Sequence, residues 1–212
     1  MPPDPLPRFG DRRAIRIGLL GGSFNPAHAG HAHVAQTALR RLRLDQVWLL
    51  VSPGNPLKPA VGMAPLADRL AGARAIADGR RVIATAIESR LGTRYTVDTL
   101  ERLRRHFPRA RFVWLMGADL LPELPRWQRW RHMLRAMPFI VLPRPGYTRA
   151  ALSGCVARRL AHARHSPAVL AGAPAPAWSV LTASQMAVSA SAIRARKGTG
   201  AGVRRNKEGV VP

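Results

Sequence analysis

The chain of 212 residues lacks the features of secreted and membrane-spanning proteins. Its one cysteine, Cys155, excludes an internal disulfide framework and a zinc site built on cysteines. Its longest apolar stretches, such as residues 17–20 and 47–51, have the length of strands, whereas a membrane-spanning helix needs about 18 residues. The first residues contain no apolar segment of the kind found in secretion signals. We therefore expect a cytoplasmic protein with no membrane partner.

Acidic residues are scarce, and lysines are scarcer still. There are 11 Asp and Glu residues against 34 Lys and Arg residues, which gives a formal net charge of +23. The only lysines are Lys58, Lys197 and Lys207, so nearly all the positive charge is on arginine. Such a charge attracts phosphate-bearing partners, both nucleotides and nucleic acids. Many arginines fall in helix-like runs such as 102–105, which predicts solvated faces without interleaved aromatic residues, and nucleic acid is not the expected partner.

The pattern of apolar residues alternates between strands and helices. Buried strands are predicted at 14–20, 47–51, 81–87, 111–116 and 138–142, and amphipathic helices at 29–43, 65–77 and 96–107. Weaker patterns predict helical segments at 119–124, 148–165 and 189–197, and short strands at 169–170 and 179–182. Short connections between them favour an α/β fold with a doubly wound parallel sheet. Ligands of such sheets bind beyond the carboxyl ends of the strands, at the point where the strand order reverses.

We expect one domain with a tail at each end. The domain is predicted to span residues 14–197. Residues 1–13 are rich in proline and arginine and are expected to be a flexible tail. Residues 198–212 are rich in glycine and charge and are expected to be poorly ordered.

The segment after the first strand, residues 21–31, reads GGSFNPAHAGH. Two glycines allow backbone N–H groups to approach a ligand, and the start of the following helix attracts anions. His28 and His31 are three residues apart at this helix start, so both can point into the same space. The segment is not a P-loop, because no Gly-Lys-Ser/Thr follows. A metal site on the two histidines lacks further ligands at suitable spacing, and a glycine turn with incidental histidines is the remaining alternative.

This segment resembles the HxGH signature of the nucleotidyltransferase superfamily. Four further blocks resemble bacterial nicotinate-nucleotide adenylyltransferases: SPGNPLK at 52–58, RYTVDTL at 94–100, LMGADLL at 115–121 with Trp127 behind it, and VSASAIR at 188–194. The resemblance implies a Rossmann-like fold and the transfer of the adenylyl group of ATP to nicotinate mononucleotide. The products would be deamido-NAD and pyrophosphate, a step of NAD biosynthesis. The resemblance also implies that Mg²⁺ is carried by the ATP phosphates, with no metal ligand in the protein itself.

The resemblance also assigns roles to single residues. Catalytic roles fall to His28, His31, Lys58 and Arg194, which would stabilise charge on the ATP phosphates. The implied ATP-binding residues are Gly21, Gly22, Ser23, Phe24, His28, His31, Gly117, Asp119, Ser189, Ser191, Ile193 and Arg194. The implied mononucleotide-binding residues are Asn25, Lys58, Tyr95, Thr96, Asp119 and Trp127. N–H groups near Tyr95 and Thr96 would bind the nicotinate carboxylate, and Trp127 would stack on the ring.

Some of these residues have a plain structural alternative. Asp119 and Thr96 could be helix N-caps, Trp127 a core residue, and Lys58 and Arg194 exposed surface residues.

The sequence departs from the family pattern at three places, and other functions stay open. Leu57 stands where a histidine usually precedes the lysine, and Ala190 removes one hydroxyl group from the last block. Residues 198–212 do not match the further short helix with which the family usually ends. These departures affect the expected rate of the reaction more than the expected class of reaction. The alternatives are a superfamily member acting on phosphopantetheine or glycerol 3-phosphate, and a basic nucleic-acid-binding protein on a degenerate scaffold. The oligomeric state is open, with a homodimer among the options.

Overall fold

The computed structural model describes residues 4, 6, 7, 10–54, 62–181, 190, 193 and 194. Within them, six strands form one sheet: β1 (Arg16–Gly22), β2 (Gln46–Val51), β3 (Val82–Thr85), β4 (Arg111–Gly117), β5 (Phe139–Leu142) and β6 (Trp178–Val180). The strand order is β3-β2-β1-β4-β5-β6, and every neighbouring pair is parallel. The order reverses between β1 and β4, so the carboxyl ends of these two strands mark the place where ligands of such folds bind.

Helices cover both faces of the sheet. They are α1 (Ala29–Arg41), α2 (Leu66–Ala75), α3 (Ile87–Leu91), α4 (Thr96–His106), α5 (Trp130–Ala136), α6 (Thr148–Ser153), α7 (Cys155–Arg159) and α8 (Pro167–Leu170). Short 3₁₀ turns occur at Ala118–Leu120, Leu124–Arg126 and Ala161–Ala163. No helix among the described residues is long and apolar enough to cross a membrane.

The two faces of the sheet have separate apolar cores. On one face, Leu39 of α1, Leu70 of α2 and Leu170 of α8 pack against strand residues such as Leu49. On the other face, helices α3 to α7 pack against the opposite side of the same strands, with Trp48 at the centre. Strands buried on both sides explain why each reads as a continuous apolar run. The predicted doubly wound α/β fold is confirmed.

Several element predictions need correction. The strand predicted at 169–170 is wrong, because Pro167 begins the short helix α8 there. The strand predicted at 81–87 ends at Thr85, and the five-residue helix α3 follows it. The helical stretch at 148–165 is broken at Gly154 into α6 and α7. Most of the helix predicted at 189–197 lies outside the described residues, although 190, 193 and 194 are helical.

The predicted domain bounds, 1–13, 14–197 and 198–212, stay predictions. Within the predicted N-terminal tail, however, Leu6 is buried and Asp4 accepts a hydrogen bond from the Thr85 hydroxyl. The Arg90 guanidinium donates to the carbonyl oxygen of Leu6 at 3.0 Å and so ties this segment to α3. The predicted C-terminal tail lies outside the described residues.

Candidate active site

A cavity of about 260 Å³ opens at the carboxyl end of β1, next to the ends of β2 and β4. Its lining residues are Gly21, Gly22, Ser23, Ser52, Gly54, Glu88, Arg94, Tyr95, Thr96, Trp114, Leu120, Arg126, Trp127 and Gln128. Six of the residues predicted from the sequence are in this set: Gly21, Gly22, Ser23, Tyr95, Thr96 and Trp127. The cavity therefore lies at the edge of the sheet that the strand order marks for ligands.

The glycine at position 21 is needed because an aromatic ring lies against it. A β-carbon on Gly21 would come within 2.6 Å of Trp114 Cη2, which is closer than van der Waals contact. Trp114 in turn meets Trp127 edge to face, with ring centroids 6.4 Å apart. These two indole rings form the apolar wall of the cavity. The Trp114 indole nitrogen is buried and has no hydrogen-bond partner among the described residues.

The two histidines of the HxGH segment lie together at the start of α1. Their ring centroids are 3.9 Å apart, and Phe24 packs on His31 with centroids at 4.7 Å. The His28 backbone N–H donates to His31 Nδ1 at 3.3 Å, so the neutral His31 ring carries its proton on Nε2. His28 is the N-cap residue of α1, and its own Nδ1 is buried without a partner among the described residues. The helix start thus presents two imidazoles side by side.

Burial keeps both imidazoles neutral. Desolvation lowers the pKa of His28, and the positive charge of Arg144 adds to the effect. Desolvation, followed by the charges of His28 and Arg144, lowers the pKa of His31 to about 3. A neutral ring can still donate one N–H to a phosphate oxygen. Arg144 lies on the loop after β5 and was not foreseen from the sequence.

Asp119 follows β4 in the first 3₁₀ turn. Its Oδ1 lies 3.4 Å from Arg144 Nε, but this atom makes no hydrogen bond within the described part of the chain. The N-cap residue of this turn is Gly117, and the N-cap residue of α4 is Tyr95. The interpretation of Asp119 and Thr96 as N-caps is therefore wrong. The Asp119 carboxylate is half-buried and lies beside the Arg144 guanidinium.

The Arg194 guanidinium donates to the carbonyl oxygen of Asn25, which brings this arginine to the HxGH segment. The Asn25 side chain is engaged in holding the next loop: its Nδ2 donates to Gly62 O at 2.9 Å, and its Oδ1 accepts from Ala64 N at 3.2 Å. Ile193 is half-buried next to Arg194. Lys58, Ser189 and Ser191, together with Leu57, lie outside the described residues. The roles assigned to all these residues stay predictions.

Sequence reasoning missed Arg69. It is 3% exposed, and among the described residues its guanidinium donates to backbone carbonyl oxygens: Ala64 at 2.8 Å, Ser23 at 2.8 Å, Ser52 at 2.7 Å and Pro53 at 3.3 Å. One side chain of α2 therefore joins the loops that follow β1 and β2, and two of its partners line the cavity. Among so many arginines, no signal in the sequence distinguishes this one.

Glu88 was also missed. It is 8% exposed, lies in α3 and lines the cavity. Its Oε1 accepts from Thr99 Oγ1 at 3.3 Å, and Thr99 Oγ1 lies 2.8 Å from Thr93 Oγ1. Burial raises the pKa of Glu88 to about 7, against the opposing effect of hydrogen bonds from Thr99 and Ser52. The sequence did offer one signal, because Glu88 is one of the few acidic residues and stands beside an apolar run.

Three features together define a nucleotidyltransferase. They are the doubly wound sheet, the glycine-rich turn with an imidazole pair at the start of the following helix, and the arginines around the opening of the cavity. A family model described as cytidylyltransferase-like matches residues 19–196. A probable nicotinate-nucleotide adenylyltransferase of Gluconobacter oxydans is 59% identical over 184 residues, which cover 85% of this chain and 94% of the relative. A protein with the same description from Gluconacetobacter diazotrophicus is 57% identical over 191 residues, 88% of either chain.

A solved structure shares the fold. The Plasmodium falciparum nicotinic acid mononucleotide adenylyltransferase complexed with NaAD superposes with a TM-score of 0.65 at 16% identity, over 84% of this chain and 82% of that one. The chain belongs to the nicotinate-nucleotide adenylyltransferases, within the cytidylyltransferase-like family. The predicted family, fold and enzyme class are confirmed.

Proposed function

We propose that this protein transfers the adenylyl group of ATP to nicotinate mononucleotide and releases pyrophosphate, which forms deamido-NAD in NAD biosynthesis. The observation that carries the proposal is the cavity at the end of β1, in which a glycine turn for phosphates and an indole wall for a ring lie side by side. The descriptions of the bacterial relatives support the same reaction.

The chemistry needs positioned charge and no covalent enzyme intermediate. An oxygen of the mononucleotide 5′-phosphate attacks the α-phosphorus of ATP, a new P–O bond forms, and the bond from the α-phosphorus to the pyrophosphate oxygen breaks. Such transfers depend on alignment and on stabilising the charge that gathers on the phosphate oxygens. The N–H groups of His28 and His31 would donate to these oxygens. The lowered pKa values leave each ring neutral at pH 7, with one N–H to donate.

The ATP phosphates would also meet cationic groups. Arg194 contacts the Asn25 carbonyl oxygen at the edge of the HxGH segment, close enough to take part in a phosphate site. Lys58 is included in the proposal because of the family resemblance alone. Gly21, Gly22, Ser23, Phe24, Gly117, Ser189, Ser191 and Ile193 would complete the ATP contacts.

Mg²⁺ would enter with the ATP phosphates. Within the described residues there is no group of three or more His, Cys, Asp or Glu side chains that could hold a metal ion. The residues present fit an ion held by phosphate oxygens and water, which is the usual arrangement for Mg²⁺ at nucleotides. Asp119, whose buried Oδ1 makes no hydrogen bond in the described part of the chain, would help to orient the ion. Bound there, the ion would supply neutralisation of phosphate charge.

The nicotinate ring would lie against Trp127, with its carboxylate at the start of α4. Tyr95 has extended backbone torsions and precedes eleven helical residues, so the first N–H groups of α4 have no acceptor within the helix. A carboxylate is favoured at such a helix start. Asn25 and Asp119 would face the remainder of the mononucleotide. We place the reaction in the cytoplasm, where ATP is available.

The test is product identification with purified protein. ATP, Mg²⁺ and nicotinate mononucleotide should give deamido-NAD and pyrophosphate in equal amounts. Nicotinamide mononucleotide should react more slowly, because an amide forgoes a charged hydrogen bond at the start of α4. Phosphopantetheine with ATP, and glycerol 3-phosphate with CTP, serve as controls and should give no product. Absence of a dinucleotide from both mononucleotides would contradict the proposal.

A further inference from the structure

The cavity contains a carboxyl group for which the proposed reaction has no use. Glu88 is the only acidic residue among the described residues that line the cavity. It shares the wall with Tyr95 and Thr96, where the nicotinate carboxylate is proposed to bind. A buried carboxyl group beside the proposed site of a substrate carboxylate needs a physical explanation, because two carboxylates repel each other.

The surroundings of Glu88 supply hydrogen bonds but no paired cation. Its carboxylate accepts from Thr99 Oγ1, and Ser52 provides a second hydroxyl. None of the ion pairs within the described residues includes Glu88. Thr99 is fully buried and also lies 3.3 Å from the Tyr95 carbonyl oxygen, so the network reaches the start of α4. Burial without a cation favours the protonated carboxyl group.

The charged groups on the neighbouring elements are engaged elsewhere. Arg102 of α4 donates to Leu91 O at 2.8 Å, and Arg90 of α3 donates to Leu6 O and lies near Asp4. The two acids of α4, Asp98 and Glu101, pair with Arg129, and Glu101 also meets His132.

The remaining polar groups near Glu88 come from β2 and from the cavity wall. Strand β2 contacts α3 and ends at Val51, and the residue that follows it, Ser52, contributes a hydroxyl group. Arg94 and Arg126 line the same cavity but are exposed to solvent, which screens their charge.

We propose that Glu88 is a specificity-determining residue of the mononucleotide site, which favours a carboxylate-bearing ring while Glu88 is neutral and disfavours it once Glu88 is ionised. The inference rests on the proposed function. Two carboxylates in one cavity repel each other, whereas an amide-bearing ring carries no charge and escapes this penalty. The preference for the acid over the amide is therefore full below the pKa of Glu88, which is about 7, and falls as the pH rises through it.

The wild-type enzyme tests the inference without any variant. The measurement is kcat/KM for nicotinate mononucleotide and for nicotinamide mononucleotide between about pH 6 and pH 9 at constant ionic strength. Titrations of ATP, of the shared 5′-phosphate and of the two histidines cancel in the ratio of the two values. The ratio should fall by about fivefold or more across this range. If the amide is too slow to assay, the dissociation constants of both mononucleotides replace the two kcat/KM values. A constant or rising ratio would overturn the proposal.

Glu88→Gln removes the charge and keeps an oxygen that can accept from Thr99 and Ser52. In this variant the ratio should stay at its low-pH value at every pH. Glu101→Gln, on the outer face of α4, is the matched control and should keep the wild-type profile. A Glu88→Gln enzyme with the wild-type pH dependence would overturn the proposal. Failure of the proposed function is distinct from this, because neither mononucleotide would then give a dinucleotide at any pH.

Discussion

A single imidazole shows how burial and chemistry are linked at the residue scale. His31 is packed between Phe24 and His28, its Nδ1 is used by the His28 backbone, and Nε2 remains to donate. The HxGH spacing predicted that the two rings would share one space, and the structure agrees. Their neutrality could not be predicted, because it depends on desolvation and on Arg144, which is more than a hundred residues away along the chain.

His31→Ala should lower kcat by about 10²–10³-fold, since it removes a donor aimed at charge that develops during transfer. The fold should survive with a loss of about 1 kcal/mol in unfolding free energy, as expected for a weakened helix start. Steady-state kinetics and urea denaturation measure both quantities. His162→Ala, at an exposed site in a 3₁₀ turn, is the control and should match the wild type. Near-normal turnover in His31→Ala would place the phosphate site elsewhere.

The lowered pKa of His31 also predicts how stability depends on pH. The unfolded chain binds a proton near the ordinary histidine pKa of 6.5, whereas the folded ring resists it until about pH 3. Between these values the unfolded state binds more protons, so the unfolding free energy falls as the pH is lowered. His31 should account for about 1–2 kcal/mol of loss between pH 6.5 and 5. Urea denaturation of wild type and His31→Gln at both pH values checks this, and equal losses in the two proteins would contradict it.

At the scale of elements, the long and strongly periodic segments were predictable and the short ones were not. Strands buried on both faces read as apolar runs, and α1, α2 and α4 show helical spacing, so their positions agree with prediction to within a few residues. Helix α3 has five residues, too few for a periodic signal, and ends at Gly92 with φ 62°. Helix α8 has four, and its Val169–Leu170 pair resembles a strand. Long-range packing determines both.

Contacts between elements add to the picture of the arginines. Arg102 and Arg104 are exposed, as expected of a solvated face, and their guanidinium groups also donate to Leu91 O at 2.8 Å and Ala136 O at 3.1 Å. Each therefore satisfies a carbonyl group in the last residue of a helix, α3 or α5. Arg105 is exposed as well, which also agrees with the prediction. Charge alone did not reveal which arginines hold elements together.

Arg69→Met should destabilise the protein by about 2–4 kcal/mol, because it leaves buried carbonyl oxygens of two loops without donors. Arg69→Lys should fall between this variant and the wild type, since an ammonium group cannot reproduce the planar fork. Urea denaturation measures the unfolding free energies. Arg40→Met, at an exposed position of α1, is the matched control and should change stability by less than about 0.5 kcal/mol. Equal stability of Arg69→Met and Arg40→Met would show that the loops do not depend on Arg69.

At the scale of the whole molecule, the strand order decides where the chemistry lies. β1 is next to β4 in space although two strands, β2 and β3, and four helices, α1 to α4, lie between them along the chain, and the cavity forms where these neighbours end. The blocks after β1 and β4 were therefore expected at one edge, and six predicted residues line the cavity there. Arg94, Arg126, Glu88 and Trp114 could not be expected from the sequence, since they come from separate elements that only the folded sheet brings together.

The central claim is that the α-phosphate of ATP moves to nicotinate mononucleotide. The most direct measurement follows ATP labelled on the α-phosphorus and, in a parallel reaction, on the γ-phosphorus, with nicotinate mononucleotide and Mg²⁺. The α-label should appear in deamido-NAD and the γ-label in pyrophosphate, in equal amounts. Release of the γ-label as inorganic phosphate, or retention of the α-label in ATP while mononucleotide is present, would contradict the account.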